Sequence, residues 1–184
     1  KIKTKEIYHH HGILTPEWKV IQLNQWKSDI VQAVEVLGFP MIIKDPAGGS
    51  SYNIIRAENI EQATAFIDSI RVQGTIQELL AEKCIVGKEC SCGFMEGAPR
   101  FPPTEIRPNN AHKFFDFEAK YRGESVEVTP ADYPQSWITE IQNLSHLAHK
   151  ILSLDVYSRT DFLTDEKGRH WAIETNTLPG FTPT

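Results

Sequence analysis

The sequence predicts an α+β protein rather than a doubly wound parallel sheet. Short strand-like runs alternate with helical runs, and more than one pair of strands lies close enough along the chain to form a hairpin. The 184 residues, 40% of them hydrophobic, suffice for one sizeable core or two small ones. We place a domain boundary near residues 80–83, with one domain over 1–82 and another over 83–184.

The first half of the chain alternates helices with short strands. Residues 1–11 predict a helix that Gly12 stops, and an apolar stripe over Asp29–Leu37 predicts a second helix. The elements that follow are a strand Met41–Lys44, a glycine- and hydroxyl-rich turn over 45–51, a returning strand Tyr52–Arg56, a helix capped by Asn59 with Gln62 in the capping-box position, and a strand Thr75–Leu80. The turn over 45–51 therefore joins two strands of a hairpin.

The second half opens with a half-buried strand, Lys88–Phe94, in which apolar and polar residues alternate. Proline, asparagine and glycine accumulate over 99–123, so we expect a long ordered loop there, of the kind that tends to be functional. Apolar residues spaced three and four apart predict an amphipathic helix over 135–152. A β-hairpin then runs from Val156 to about Thr177.

Charge and composition exclude several classes of protein. The chain has 19 basic and 24 acidic residues, a net charge of -5 and a pI near 5.8, which argues against binding to nucleic acid or to an anionic membrane. Its apolar runs fall short of the roughly 18 residues of a spanning helix. Its first residues are too polar for a signal peptide. We therefore expect a cytosolic protein, and the helical start without methionine suggests a fragment.

Cysteine and histidine do not predict a metal site. Cys84, Cys90 and Cys92 are odd in number and lack CxxC spacing, so we expect reduced core thiols. The run His9–His11 lies on a predicted helix, where consecutive side chains diverge by about 100° and cannot converge on one ion. Histidines in a last helical turn suit the negative end of the helix dipole.

The last hairpin carries the main candidate site. If its turn centres on Lys167–Gly168, Asp161 lies opposite Glu174 and Arg159 opposite Asn176, all on one face. Facing carboxylates repel unless a cation or a shared proton lies between them. Oxygen ligands alone select a hard ion such as Mg²⁺ or Mn²⁺. A plain solvated hairpin face is the alternative, and the pattern leaves both open.

Two lysines are further candidates. Lys44 ends a strand just before Gly48–Ser51, and together they could offer an ammonium, backbone N–H groups and two hydroxyls to phosphate oxygens. The segment lacks the residue order of a P-loop, so an ordinary hairpin turn beside a lysine is the alternative. Lys120 lies in the aromatic run Phe114–Tyr121, and its alternative is a surface lysine.

Five motifs follow one another in a fixed order. They are Ile42–Lys44 with Gly49–Ser51, Glu82-Lys83 with Gly87–Glu89, Phe115–Tyr121, Arg159–Asp161, and Glu174–Gly180. Each motif is weak alone, but in this order they cover essentially the whole chain and resemble the D-alanine–D-alanine ligases. The resemblance implies an ATP-grasp fold, in which two α+β subdomains hold a nucleotide between them, and a chain that lacks the ligase's amino-terminal domain.

The resemblance also implies a role for each matching residue. The residues that would hold nucleotide phosphates are Lys44, Lys120 and Lys1, beneath the turn of Ser50 and Ser51. The residues that would line the adenine and ribose pocket are Glu82, Lys83, Ile85 and Glu89. The magnesium ligands would be Asp161, Glu174 and Asn176. The groups that would stabilise the oxyanion or close the site over substrate are Arg159, the Gly180 N–H, Ser50 and Tyr121.

The implied reaction needs ATP and Mg²⁺ or Mn²⁺, and its substrate is D-alanine. ATP phosphorylates one D-alanine, and the amine of a second attacks the acyl phosphate, for peptidoglycan precursor synthesis. We expect this chain to bind Mg-ATP but to ligate poorly or not at all without the first domain, and the full-length protein could form a homodimer. The alternatives are another ATP-grasp carboxylate–amine ligase and a non-catalytic nucleotide-binding module. The latter is motivated by Tyr52-Asn53, where the family usually has Val-Gly; Ser158 and Thr175 likewise replace a more usual Gly and Ala.

Overall fold

The computed structural model describes residues 1–49, 52–108 and 125–180. Its contacts divide the chain into two compact units. The first unit comprises Lys1–Ile2 and Pro16–Cys84, and the second comprises Lys3–Thr15 with the described part of the chain from Ile85 onward. The break therefore follows Cys84, close to the predicted residues 80–83, but the amino-terminal helix lies in the other unit from the one predicted.

Burial explains why the first helix, α1 (Ile2–His10), belongs to the second unit while the residues that follow it in sequence belong to the first. Tyr8 and Ile13 are buried in the core of the second unit. The Ala172 N–H also donates to the Leu14 carbonyl at 2.8 Å, which attaches the segment after α1 to the last hairpin. The sequence pattern predicted a helix here but did not show which core buries Tyr8.

The first unit is an antiparallel sheet with two helices on one face. Its strands are β1 (Trp18–Gln22), β2 (Met41–Lys44), β3 (Ile54–Ala57) and β4 (Glu78–Lys83), in the order β1-β4-β2-β3, and its helices are α2 (Trp26–Leu37) and α3 (Ile60–Gln73). Met41, Ile43 and Ala81 face the helices and are fully buried. Alternation places Ile42, Lys44 and Glu82 on the opposite face.

The capping box predicted at α3 is present in a modified form. The Asn59 side chain accepts a hydrogen bond from the Gln62 N–H at 2.9 Å, as expected of an N-cap. The Gln62 side chain reaches back one residue further, accepting from the Glu58 N–H at 2.9 Å. Gly74 ends the helix in the left-handed conformation, with φ 71°.

Three strands of the first unit differ from the prediction. The strand β1 was not predicted, because its lysine and glutamine obscure the alternation. The strand predicted at Thr75–Leu80 is β4, which begins three residues later. The last residue of β1, Gln22, pairs with Glu78, and the last residue of β2, Lys44, pairs with Leu80, so residues 75–77 lie beyond the ends of both partner strands. The returning strand begins at Ile54 instead of Tyr52, since Asn53 has a positive φ of 54°.

The second unit is a five-stranded antiparallel sheet covered by helices on one face. Its strands are β5 (Lys88–Met95), β6 (Thr104–Pro108), β7 (Ser125–Val128), β8 (Tyr157–Thr164) and β9 (His170–Asn176), in the order β7-β6-β5-β8-β9, and its long helix is α4 (Gln135–Ile151). Ser145 of α4 donates to the Cys92 carbonyl at 2.9 Å. The predicted loop over 99–123 contains β6, and residues 109–124 lie outside the described part.

A close approach at Gly87 fixes the start of β5 against the end of β8. Lys88 pairs with Thr164, and a Cβ on Gly87 would lie 2.2 Å from the Thr164 carbonyl oxygen. Only glycine fits this position without a shift of the backbone. The Gly-Lys-Glu motif therefore has a packing reason for its glycine.

Candidate functional site

In the first unit, the predicted phosphate-binding lysine lies on the face of the sheet away from the helices. Lys44 ends β2 and is buried, and its Nζ lies 2.5 Å from Oε2 of Glu82, which is also buried. Glu82 is opposite Ile42 in the register, which puts its side chain on the same face as Lys44. The structure thus brings together one residue predicted to bind phosphate and one predicted to bind adenosine.

The turn after Lys44 is built from short-range hydrogen bonds. Asp45 accepts from the Ala47 N–H at 2.8 Å through its side chain and from the Gly48 N–H at 3.2 Å through its carbonyl. The Lys1 ammonium donates to the Gly48 carbonyl, and the Lys1 backbone nitrogen donates to the Pro46 carbonyl at 3.3 Å. Lys1 therefore contacts the glycine-rich turn, as its predicted role requires.

The predicted adenosine-binding residues are divided between the units. Glu82 and Lys83 follow one another on β4, so their side chains point to opposite faces, and Lys83 is exposed. Only the backbone of Lys83 is available on the face of Glu82. Ile85 and Glu89, both partly exposed, belong to the second unit, where Glu89 lies on β5.

In the second unit, the last hairpin has the predicted pairing but reaches it through a bulge. Arg159 pairs with Asn176 and Asp161 with Glu174, as expected, which confirms the predicted register at this end. Closer to the turn, Phe162 pairs with Ala172, so Ile173 is an extra residue on β9. Without it the register would be shifted by one residue, and Glu174 would point to the opposite face.

Asp161 is the centre of a hydrogen-bond network on this face. One carboxylate oxygen accepts from Ser91 Oγ at 2.8 Å and from Arg159 Nε at 2.9 Å, and the other accepts from Arg159 Nη2 at 3.1 Å and Asn176 Nδ2 at 2.9 Å. The guanidinium is thus forked on the carboxylate, a strong and directional arrangement. Ser91 was not predicted as a site residue, although strand alternation placed it on the same face as Glu89.

The guanidinium of Arg159 supplies the cation that the facing carboxylates require. Burial opposes its charge, but the hydrogen bond to Asp161 and the charges of Asp161, Glu174 and Glu127 outweigh burial and raise the pKa of Arg159 above its usual value. Asn176 directs its amide nitrogen at Asp161, which leaves its oxygen available as a ligand. Two carboxylates and an amide oxygen are donors that suit a hard divalent cation.

A cavity of about 350 Å³ adjoins this network within the second unit. Arg159 and Gly180, the two groups predicted to stabilise an oxyanion, both line it, as does Ser91. Much of the remaining lining is apolar, including Met95, Phe101 and Pro179. Such a cavity, mostly apolar with a few convergent polar groups, is typical of a small-molecule site.

Other predicted groups lie outside this network or outside the described residues. Cys90 and Cys92 are buried free thiols, as predicted, and Cys84 is partly exposed. Burial raises the pKa of both buried thiols, that of Cys92 to about 11, so neither is a nucleophile near neutral pH. The predicted site residues outside the described part of the chain are Ser50, Ser51, Lys120 and Tyr121. No helix in the described ranges has the length and apolarity needed to cross a membrane.

A comparison with known protein families shows to which family the chain belongs. Residues 7–184 match the family described as D-ala D-ala ligase C-terminus. The chain belongs to this ligase family. The match includes all five motifs on which the resemblance rests, and Lys1 lies before its first residue.

Individual members of the D-alanine–D-alanine ligase family are similar over the whole chain. The D-alanine–D-alanine ligase of Maridesulfovibrio salexigens is 36% identical over 185 residues, covering 100% of this chain and 59% of the relative. That of Leptospira biflexa is 38% identical over 194 residues, covering 100% of this chain and 54% of the relative. The chain therefore spans somewhat more than half the length of these relatives.

Solved ligase structures share the fold. The crystal structure of the Bacillus anthracis D-alanine–D-alanine ligase complexed with ATP superposes with a TM-score of 0.77 at 27% identity, covering 99% of this chain and 56% of that one. The α+β architecture is accordingly that of the ATP-grasp ligases, as the sequence predicted. One departure from the family is now explained structurally: Ser158, in place of the usual Gly, contacts Nδ1 of the buried His149 at 2.9 Å.

Proposed function

We propose that the protein is an ATP-dependent D-alanine–D-alanine ligase that acts in the cytoplasm in peptidoglycan precursor synthesis. The observation that carries the proposal is the guanidinium of Arg159, forked on Asp161 beside a cavity that Gly180 also lines. Family membership supports the reaction class, and the ATP complex of a relative supports the nucleotide. The substrate and the pathway are extended to this chain from its relatives.

The first unit would bind the nucleotide by exchanging the partner of Lys44. Its ammonium is already neutralised by Glu82, so a phosphate that enters must replace that carboxylate. Glu82 would then be free to accept a hydrogen bond from adenosine. Lys1 would add a second ammonium at the glycine-rich turn. Phosphoryl transfer depends chiefly on such positioning and charge neutralisation.

The second unit would stabilise charge during acyl transfer. Mg²⁺, held by Asp161, Glu174 and Asn176, would neutralise negative charge on the phosphates. Arg159 and the Gly180 N–H are the proposed donors to the oxyanion that forms when the amine of the second D-alanine attacks the acyl phosphate. Arg159 is prepared for this role because Asp161 fixes its orientation and keeps it charged. This chemistry requires no protein nucleophile.

The decisive experiment measures D-alanine-dependent phosphate release from ATP by the protein at its natural length. We expect Arg159→Met to lower the turnover by about 100-fold or more, as for loss of an oxyanion donor. Asp161→Asn, which alters a proposed metal ligand, should lower the turnover as well. Its matched control is Asp155→Asn, at an exposed carboxylate just before β8, which should behave as wild type. Phosphate release that is independent of D-alanine but dependent on another amino acid would show a different carboxylate–amine ligase.

Nucleotide binding can be tested separately by calorimetry. Mg-ATP should bind the wild-type protein and the control Lys27→Ala, an exposed lysine of α2, with equal heats. The double variant Lys44→Ala with Asp161→Asn should give no measurable heat. Equal heats for this variant and the wild type would refute the proposed roles of Lys44 and Asp161 together.

A further inference from the structure

The part of the last hairpin that carries the acidic pair is short. Beyond the bulge, β8 and β9 are held in register by three cross-strand pairs, Arg159 with Asn176, Thr160 with Thr175, and Asp161 with Glu174. A slip of one residue here would give this end of β9 the same register as the part between the bulge and the turn. Glu174 would then point to the opposite face. Something must therefore hold this end in place.

A chain of three hydroxyl groups lies at the middle pair. The Tyr8 hydroxyl contacts Thr175 Oγ1, which lies 2.7 Å from Thr160 Oγ1. Tyr8 and Thr160 are fully buried. By strand alternation the two threonines lie on the face opposite to Asp161 and Glu174. The hydroxyl chain therefore supports the acidic pair from the other side of the sheet.

The segment that carries Tyr8 contacts β9 on both sides of the bulge. Leu14 accepts a hydrogen bond from the Ala172 N–H at 2.8 Å, just before the extra residue Ile173, and Tyr8 contacts Thr175 just after Glu174. Ile173 thus lies between two residues of β9, Ala172 and Thr175, that contact the same segment, α1 and the turn after it. A register shift would break the second contact while leaving the first intact.

We propose that Tyr8 is a positioning residue, whose hydroxyl acts through Thr175 and Thr160 to hold the bulged register that keeps Glu174 beside Asp161. The hydrogen bond, rather than the ring, is the active feature, because Tyr8 reaches the middle pair of the hairpin end through contacts from hydroxyl to hydroxyl. Burial raises the pKa of Tyr8 to about 12, so its hydroxyl remains protonated throughout the physiological range. The consequence for ligand binding rests on the proposed function of Asp161 and Glu174.

The test compares variants that remove a hydroxyl with one that keeps it. Tyr8→Phe and Thr175→Val each remove one hydroxyl at nearly constant shape, whereas Thr175→Ser retains the hydroxyl and loses a methyl group. Thr139→Val, at an exposed threonine of α4, is the control. Two quantities are measured on the protein at its natural length: hydrogen exchange of the β9 amides, and the dissociation constant of Mn²⁺ in the presence of ATP.

We expect Tyr8→Phe and Thr175→Val to speed exchange at the end of β9 beyond the bulge and to weaken Mn²⁺ binding about 10-fold, the range known for groups that support metal ligands. Thr175→Ser and Thr139→Val should match wild type in both measurements. Faster exchange spread evenly over β5, β8 and β9 would show general destabilisation and overturn the inference. Equal losses for Thr175→Ser and Thr175→Val would overturn it as well.

The two readouts separate this inference from the proposed function. If the wild-type protein fails to bind Mn²⁺ with ATP, the proposed function is wrong, but the exchange of β9 still decides the role of Tyr8. If Mn²⁺ binds to Tyr8→Phe as tightly as to wild type, the positioning role is wrong and the proposed function stands.

Discussion

The two units balance charge in different ways. In the first, one ammonium and one carboxylate form a close buried pair, Lys44 with Glu82. In the second, one guanidinium is shared among the charges of three carboxylates, Asp161, Glu174 and Glu127. The first cluster has one positive and one negative group, whereas the second has an excess of negative groups around one guanidinium. This difference agrees with the proposal that the first unit binds phosphate and the second binds a metal ion.

The largest loss of stability is expected when the buried ion pair of the first unit is broken. Lys44→Ala leaves the buried Glu82 carboxylate without its ammonium, and removing one partner of such a pair costs about 3–5 kcal/mol. Urea unfolding of the variant measures this loss. The double variant Lys44→Met with Glu82→Gln should recover most of it, because no buried charge remains.

Removing the guanidinium of the second unit should lower the free energy of unfolding by less than removing the Lys44 ammonium. The Arg159 side chain is 37% exposed, so water can solvate part of the cluster when Arg159→Met removes the guanidinium. If this variant loses as much stability as Lys44→Ala, the contrast between the clusters is incorrect.

The close approach of Gly87 to Thr164 in the second unit should give the next largest effect on stability. Gly87→Ala places a Cβ against the Thr164 carbonyl and should lower the free energy of unfolding by about 3 kcal/mol, as overpacking against backbone does. Gly49→Ala, in the turn of the first unit, meets no atom within 4 Å and should change stability by less than about 0.5 kcal/mol. Equal effects in thermal unfolding would mean that the strands do not approach as closely as described.

The units should also differ in their response to acid. The histidines in the described ranges all belong to the second unit, and burial lowers the pKa of His149 and His170. Both are neutral in the fold, so their stabilising contribution is complete above about pH 6.5, the unfolded value, and is lost as pH falls toward their folded pKa values.

Unfolding temperatures between pH 7.5 and 5 measure this effect. Fluorescence of probes in each unit should show the second unit losing stability over that interval, and His149→Gln should reduce the loss. His146→Gln, a neighbouring histidine of α4, is the control. Parallel losses in both units would contradict the assignment.

The smallest expected effect concerns an exposed ion pair of the first unit. Asp68 and Arg71 lie one helical turn apart on α3, 2.9 Å between charged atoms, with both side chains about half exposed. Asp68→Ala should therefore change the free energy of unfolding by less than about 0.5 kcal/mol. A larger loss would mean that proximity of charges, and not burial, distinguishes Lys44 and Glu82.

Regular alternation made much of the fold predictable, and contacts distant in sequence made the rest unpredictable. The strand Met41–Lys44 and the helix from Gln135 were predicted closely because their patterns are local. The short edge strand β1 has no comparable pattern and was not found. The unit in which α1 is buried depends on the packing of Tyr8, which no local pattern reports.

The candidate site shows the same division. Pairing of Asp161 with Glu174 was predicted from an assumed turn at Lys167–Gly168, but the real hairpin obtains it through the extra residue Ile173. Ser91 faces Asp161 by simple alternation and could have been found from the sequence. The hydroxyl chain from Tyr8 could not, because it joins residues 167 positions apart. The roles of Ser50, Ser51, Lys120 and Tyr121 stay predictions.

The path of the chain between the units affects how the protein can be dissected. Because residues 3–15 belong to the second unit while 1–2 and 16–84 belong to the first, the backbone crosses from one unit to the other three times. Cleavage after Cys84 would leave the larger piece without the helix that fills part of its core. Fragments cut there should be insoluble when expressed alone and should recover by complementation when expressed together, so a split-protein assay is better suited to this molecule than isolated domains.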